Sequence, residues 1–75
     1  MNPKIESALN SQLNFEMFSA NIYLAMAAYF DSLNLPGFAH WMHIQYQEEM
    51  VHAMKFHHFI NERTGRVRFE ALPEP

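Results

Sequence analysis

The sequence predicts an all-α chain: an antiparallel two-helix hairpin forming half of a four-helix bundle, completed by another chain or a second copy. Three observations predict it. Glycine and proline are absent between Pro3 and Pro36 and again between Gly37 and Gly65, so "NLPG" (34–37) is the one strong internal break. Apolar residues recur at helical spacing on both sides of that break. Finally, 49% of the 75 residues are hydrophobic and 15% are aromatic, which is more apolar material than two elements of so short a chain can hide alone.

The first helix is expected from about residue 3 to 32. Asn2 is placed to cap it, and Pro3 suits its first turn. A turn over 33–36 follows, and a second helix runs from about 37 to 64, with Gly65 as its stop. Each helix is about 28 residues, or about 42 Å at about 1.5 Å per residue. So short a connection makes the two antiparallel neighbours. Beyond Gly65, "RVRFEALPEP" reads as an extended tail over 65–75 and as the start of a longer connection. The whole chain, 1–75, is then a single half-domain.

Composition excludes several functions. The formal charge is −3 with no basic stripe, which argues against nucleic acid as a partner. Cysteine is absent, so disulfides, thiolate metal sites and thiol nucleophiles are excluded. No apolar run reaches the length of a membrane span and the N-terminus has no signal-like apolar core, so a membrane is not expected and the cytoplasm is the expected location.

The two helices carry stripes with polar centres. On the first, the spacing picks out Ile5, Leu9, Gln12, Glu16, Ser19, Tyr23, Met26 and Phe30, flanked by Leu13, Ala20 and Ala27. On the second it picks out Phe38, Met42, Gln45, Glu49, His52, Phe56 and Phe59. Such stripes face a partner helix or a bundle core. In an antiparallel pair their middles meet, bringing Glu16 to Glu49 and His52. Lysine and arginine are absent between Lys4 and Lys55, so no cation of this chain lies beside these acids on the stripes. Buried unpaired carboxylates are costly, and a metal ion is the remaining counter-charge.

Glu49 and His52 are three residues apart, so a carboxylate oxygen and an imidazole nitrogen can reach one ion, with Glu16 completing or bridging the site. Oxygen and imidazole donors suit iron, manganese or zinc. Di-iron carboxylate bundles use a Glu from each of two helices and a Glu-x-x-His from each of the other two; this chain holds half of that set. Glu48 falls one position off the stripe and reads as a surface acid with a lesser claim on a transient ion. His40/His43 and His57/His58 read as surface histidines, and Met50 as packing on another face.

These residues resemble a known family. "LNSQLNFEMFSANIYLAMAAYF" and "GFAHWMHIQYQEEMVHAMKFHHFINERTGRV" look like the N-terminal half of a bacterial or archaeal non-haem ferritin. The matching features are the LN-x-Q-x-N-x-E opening, the tyrosine seven residues after that Glu, GFA-x-W at the start of the second helix, and Q-EE-M-x-H. The resemblance implies a ferroxidase that oxidises ferrous iron with dioxygen or hydrogen peroxide and stores ferric mineral in a multi-subunit shell. It implies Glu16, Glu49 and His52 as ligands of the first iron, with Glu49 bridging to the second. It also implies Tyr23 as the tyrosine near the di-iron centre and Glu48 as an acid of a third iron site. Met50 aligns with the haem-binding methionine of the related bacterioferritins, though non-haem members also carry methionine there. The family's third and fourth helices have no counterpart in these residues, so the remaining ligands must come from other ferritin-like chains or from a second copy. The competing expectation is a non-catalytic truncated or assembly hairpin that docks on other subunits.

Overall fold

The computed structural model describes residues 1–75 as two antiparallel helices, α1 (Pro3–Ser32) and α2 (Pro36–Glu62), followed by a tail without regular structure. The molecule is 48 Å long, close to the roughly 45 Å that a 30-residue helix spans at about 1.5 Å per residue, so the hairpin is no longer than its first helix. The Asn2 side chain caps α1 by accepting from the backbone N–H of Lys4 at 2.8 Å and of Ile5 at 3.4 Å. Pro36 occupies the first turn of α2, where its missing N–H costs nothing.

Both helices end in the same way. A residue in the left-handed region follows the last turn, Asn34 (φ 57°) after α1 and Thr64 (φ 59°) after α2. The next N–H then reaches back to the helix: Leu35 to the Phe30 carbonyl at 3.0 Å, and Gly65 to the Ile60 carbonyl at 2.9 Å. The stop of α2 therefore differs from expectation. The helix ends two residues early, and Thr64 rather than Gly65 takes the left-handed turn. Gly65 is needed for space, because a Cβ there would lie 2.9 Å from Ile60 Cγ2 and 2.9 Å from Met1 Sδ.

The seam between the helices also lies slightly off the expected stripes. Its buried residues are Leu13, Ala20 and Ala27 on α1 and Ala39, Ala53 and Ile60 on α2, spaced in sevens or multiples of seven. Heptad spacing suits near-parallel helix axes, and alanine lets two backbones come close. The flanking row of α1 thus makes the hairpin, and the stripes of larger residues lie beside it. Phe30 and Phe38 brace the turn, with ring centroids 5.4 Å apart. At the other end, Arg63 lies over the Phe59 ring.

The hairpin alone does not make a core. Only 8 of the 75 residues are buried, while Phe38 and Trp41 remain 60% and 59% exposed. The stripes therefore form an open face suited to covering helices, as expected of half a bundle.

The tail is fastened to the opposite flank of α1. Glu6, Asn10 and Asn14, four residues apart on α1, meet Arg66, Arg68 and Glu70, two apart in the tail. The Arg66 N–H donates to Glu6 Oε1 at 2.6 Å, the Arg68 N–H to Asn10 Oδ1 at 2.8 Å, and the Glu70 N–H to Asn14 Oδ1 at 2.9 Å. In return, Asn10 and Asn14 donate their amides to the Arg66 and Arg68 carbonyls, each at 2.9 Å. The registers match because four helical residues rise about 6 Å and two extended residues span about 6.6 Å. Each Asn spends its second N–H on the carbonyl four residues back, at 3.1 Å and 2.8 Å, so no buried side-chain polar atom is left unpaired.

Candidate metal centre

Glu16 lies near the middle of α1, and Glu49 and His52 lie one turn apart near the middle of α2. The alanine seam brings these middles together. His52 Nδ1 is 3.7 Å from Glu16 Oε2 and 3.8 Å from Glu49 Oε2, and one donor atom from each of the three residues falls within 4.8 Å of the others. The two carboxylates are largely covered, whereas the His52 side chain is 50% exposed on the open face.

The acids behave as a pair. The hydrogen bond from Glu49 holds the Glu16 carboxyl below its ordinary range; burial opposes this, and the Gln12 and His52 contacts assist it. The same hydrogen bond to Glu16, then burial and the Glu16 charge, push Glu49 above its ordinary range, with His52 acting in the opposite sense. One proton shared between two carboxylates is how such a pair avoids two adjacent negative charges. The Gln12 amide donates to Glu16 Oε1 at 3.1 Å, leaving Oε2 toward His52. The ion pairs in the structure all involve histidine, so no lysine or arginine neutralises this centre.

The donor set fits a divalent cation. An ion about 2.1 Å from each ligand atom needs donors no more than about 4.2 Å apart. The two contacts of His52, 3.7 and 3.8 Å, meet that limit. Two carboxylates and one imidazole are also half the ligand set of a two-metal bundle site.

The other candidates are placed as follows. Tyr23 is half-buried two turns beyond Glu16 on the same face. Glu48 is exposed and lies beside the three-residue group, in a shallow groove that it shares with Gln47, His52 and Lys55. Met50 is half-buried across the seam, in an apolar groove with Val51 and Met54. The remaining histidines do not converge on a second site. His43 packs edge-on against Tyr46, His57 contacts Asn61 and Phe69, and His58 lies 3.6 Å from Glu62. Sequence reasoning missed the tail-holding role of Asn10 and Asn14. The signal was present: a buried helical asparagine can give one N–H to the carbonyl four residues back, but its other N–H and its amide oxygen need partners from outside the helix.

Residues 6–75 match the ferritin-like domain family. The chain belongs to the ferritin family. Its similarity to the bacterial non-heme ferritin of Bacteroides fragilis is 42% identity over 69 residues, covering 92% of this chain and 43% of that protein. The bacterial non-heme ferritin of Staphylococcus aureus is 43% identical over 68 residues, covering 91% of this chain and 41% of that one. Among solved structures, an open-pore ferritin from the hyperthermophilic archaeon Archaeoglobus fulgidus superposes with a TM-score of 0.95 at 52% identity, covering 100% of this chain and 46% of that one. An engineered closed form of the same ferritin gives 0.96 at the same 52% identity. This ferritin-family chain thus spans less than half the length of the relatives it matches and holds two helices of a four-helix bundle.

Proposed function

We propose that the chain forms one wall of a ferroxidase centre in a ferritin-like assembly serving iron storage and detoxification. Glu16, Glu49 and His52 hold the first ferrous ion, Glu49 bridges to a second, and the facing wall comes from ferritin-like helices outside residues 1–75. The observation that carries this reading is the convergence of two carboxylates and an imidazole across the seam, where no lysine or arginine pairs with either acid.

Two ferrous ions give one electron each to dioxygen, which takes up two protons and leaves as hydrogen peroxide. With peroxide as the oxidant, two electrons and two protons yield two waters. The carboxylates stabilise the ferric product more than the ferrous substrate because its charge is higher. In this reading Tyr23, two turns beyond Glu16 on the same face, donates a hydrogen bond or an electron, and exposed Glu48 holds an ion in transit. The cytoplasm, where ferrous iron is available, is the expected setting.

The test replaces Glu49 or His52 by alanine in the assembled protein. Rapid ferrous oxidation should fall by more than the roughly 10- to 100-fold that loss of a supporting contact to a ligand costs. Helix content, read by circular dichroism, should persist. Wild-type oxidation kinetics in both variants would sink the proposal. The exposed Phe38 and Trp41 favour a second reading, a non-catalytic hairpin that docks on other subunits. In that case the same substitutions change stability alone.

A further inference from the structure

We propose that Gln12 is a positioning residue that fixes Glu16 as a one-oxygen donor. This rests on the ferroxidase reading and adds to it a division of labour between the two carboxylates. Gln12 lies one turn before Glu16 on the same face of α1, and its amide donates to Glu16 Oε1 at 3.1 Å. The other oxygen, Oε2, is then turned toward His52 Nδ1 at 3.7 Å. Rotation of a carboxylate about its last bond is broad and two-fold, so a free Glu16 could offer either oxygen or both. With Oε1 occupied by the amide, only Oε2 faces the centre.

α2 repeats the spacing but not the contact. Gln45 stands four residues before Glu49, as Gln12 stands before Glu16, yet the partners of the Glu49 carboxylate are Glu16 and His52. One carboxylate is therefore held by an amide with a single oxygen forward, while the other has no amide partner and contacts only Glu16 and His52. Hydrogen bonds to ligands from neighbouring side chains set ligand orientation in this way.

The test uses cobalt(II) as the probe, in the protein in its native assembly. Gln12→Leu keeps the bulk and removes the donor; Gln12→Asn keeps the amide but is one methylene too short to reach. Both should bind cobalt about 10-fold more weakly. Their visible d–d absorption should also change as Glu16 begins to offer both oxygens. The thermal midpoint of the metal-free variants should equal that of the wild type. Wild-type affinity and spectrum in both variants would overturn the proposal, as would a fall in thermal midpoint that tracks the loss of affinity. Glu49→Ala separates the two levels. If it alone loses cobalt, the metal site stands and the role of Gln12 falls. If Glu49→Ala binds cobalt as the wild type does, the site reading falls and takes this proposal with it.

Discussion

The tail ladder permits a quantitative test. Asn14→Ala removes the amide bond to the Arg68 carbonyl and the acceptor for the Glu70 N–H, each at 2.9 Å. The third bond of Asn14, to the Asn10 carbonyl, is local to α1 and does not hold the tail. Two bonds at a net of about 0.5–1.5 kcal/mol each give about 1–3 kcal/mol of lost docking. That corresponds to a rise of roughly 5- to 150-fold in the open population of the tail. The reporter is native-state hydrogen exchange at the Arg68 amide, whose acceptor is Asn10 and which the substitution does not touch directly. If the tail opens as a unit, exchange at Arg68 accelerates by that factor while mid-helix amides of α1 keep their protection. Asn14→Asp sharpens the test. It is nearly isosteric, but it sets a carboxylate against the Arg68 and Asn10 carbonyls, so it should open the tail at least as much as alanine. An unchanged Arg68 exchange rate in both variants would refute the ladder as the element that holds the tail.

Two further outcomes are expected. Ala53 is fully buried in the seam, so Ala53→Leu should destabilise by about 1–3 kcal/mol in denaturant unfolding, whereas Ala28→Leu on the exposed side of α1 should be near neutral. Divalent metal binding should displace the proton that Glu49 keeps below its raised pKa, so zinc affinity should climb as pH rises through that range; calorimetry in buffers of different ionisation enthalpy counts the proton, and finding none released there contradicts the raised pKa. The stability linkage has two opposed arms. Glu49, with its pKa raised in the fold, stabilises at low pH and loses that contribution as pH rises through its folded value. Glu16, with its pKa lowered, stabilises at higher pH and loses that contribution as pH falls through its folded value.

The sequence made the hairpin legible because its signals are local. "NLPG" breaks the chain once, Asn2–Pro3 marks a helix start, and a 3.6-residue period places Glu49 and His52 on one face. Glu16 could be matched to them across the chain because a short turn leaves the two middles no other partner. The seam was less legible. Alanine marks a close helix contact at Ala20 and Ala53 but is merely a good helix former at the exposed Ala28, and composition alone does not separate these roles. The tail was least legible, since Asn10 and Asn14 read backbone groups more than fifty residues away, and recognition of backbone leaves no pattern in the side chains it grips. The left-handed Thr64 was masked by the glycine beside it, the commoner residue for that conformation.

The positions of tail and site on α1 bear on how the half-site is completed. Leu13, Ala20 and Ala27 make the seam; Glu6, Asn10 and Asn14 hold the tail on one side of it, and Gln12, Glu16 and Tyr23 lie on the other. The tail therefore occupies the flank away from the acids and leaves their face clear for covering helices. On the proposed reading, that cover changes the electrostatics of the centre. In the open hairpin, water at the half-exposed His52 screens whatever charge the acids carry. Once covered, a second ionised carboxylate without a counter-charge becomes costly, and a divalent cation supplies one. Metal loading and closure of the bundle then favour each other, and by linkage each stabilises the other by the same free energy.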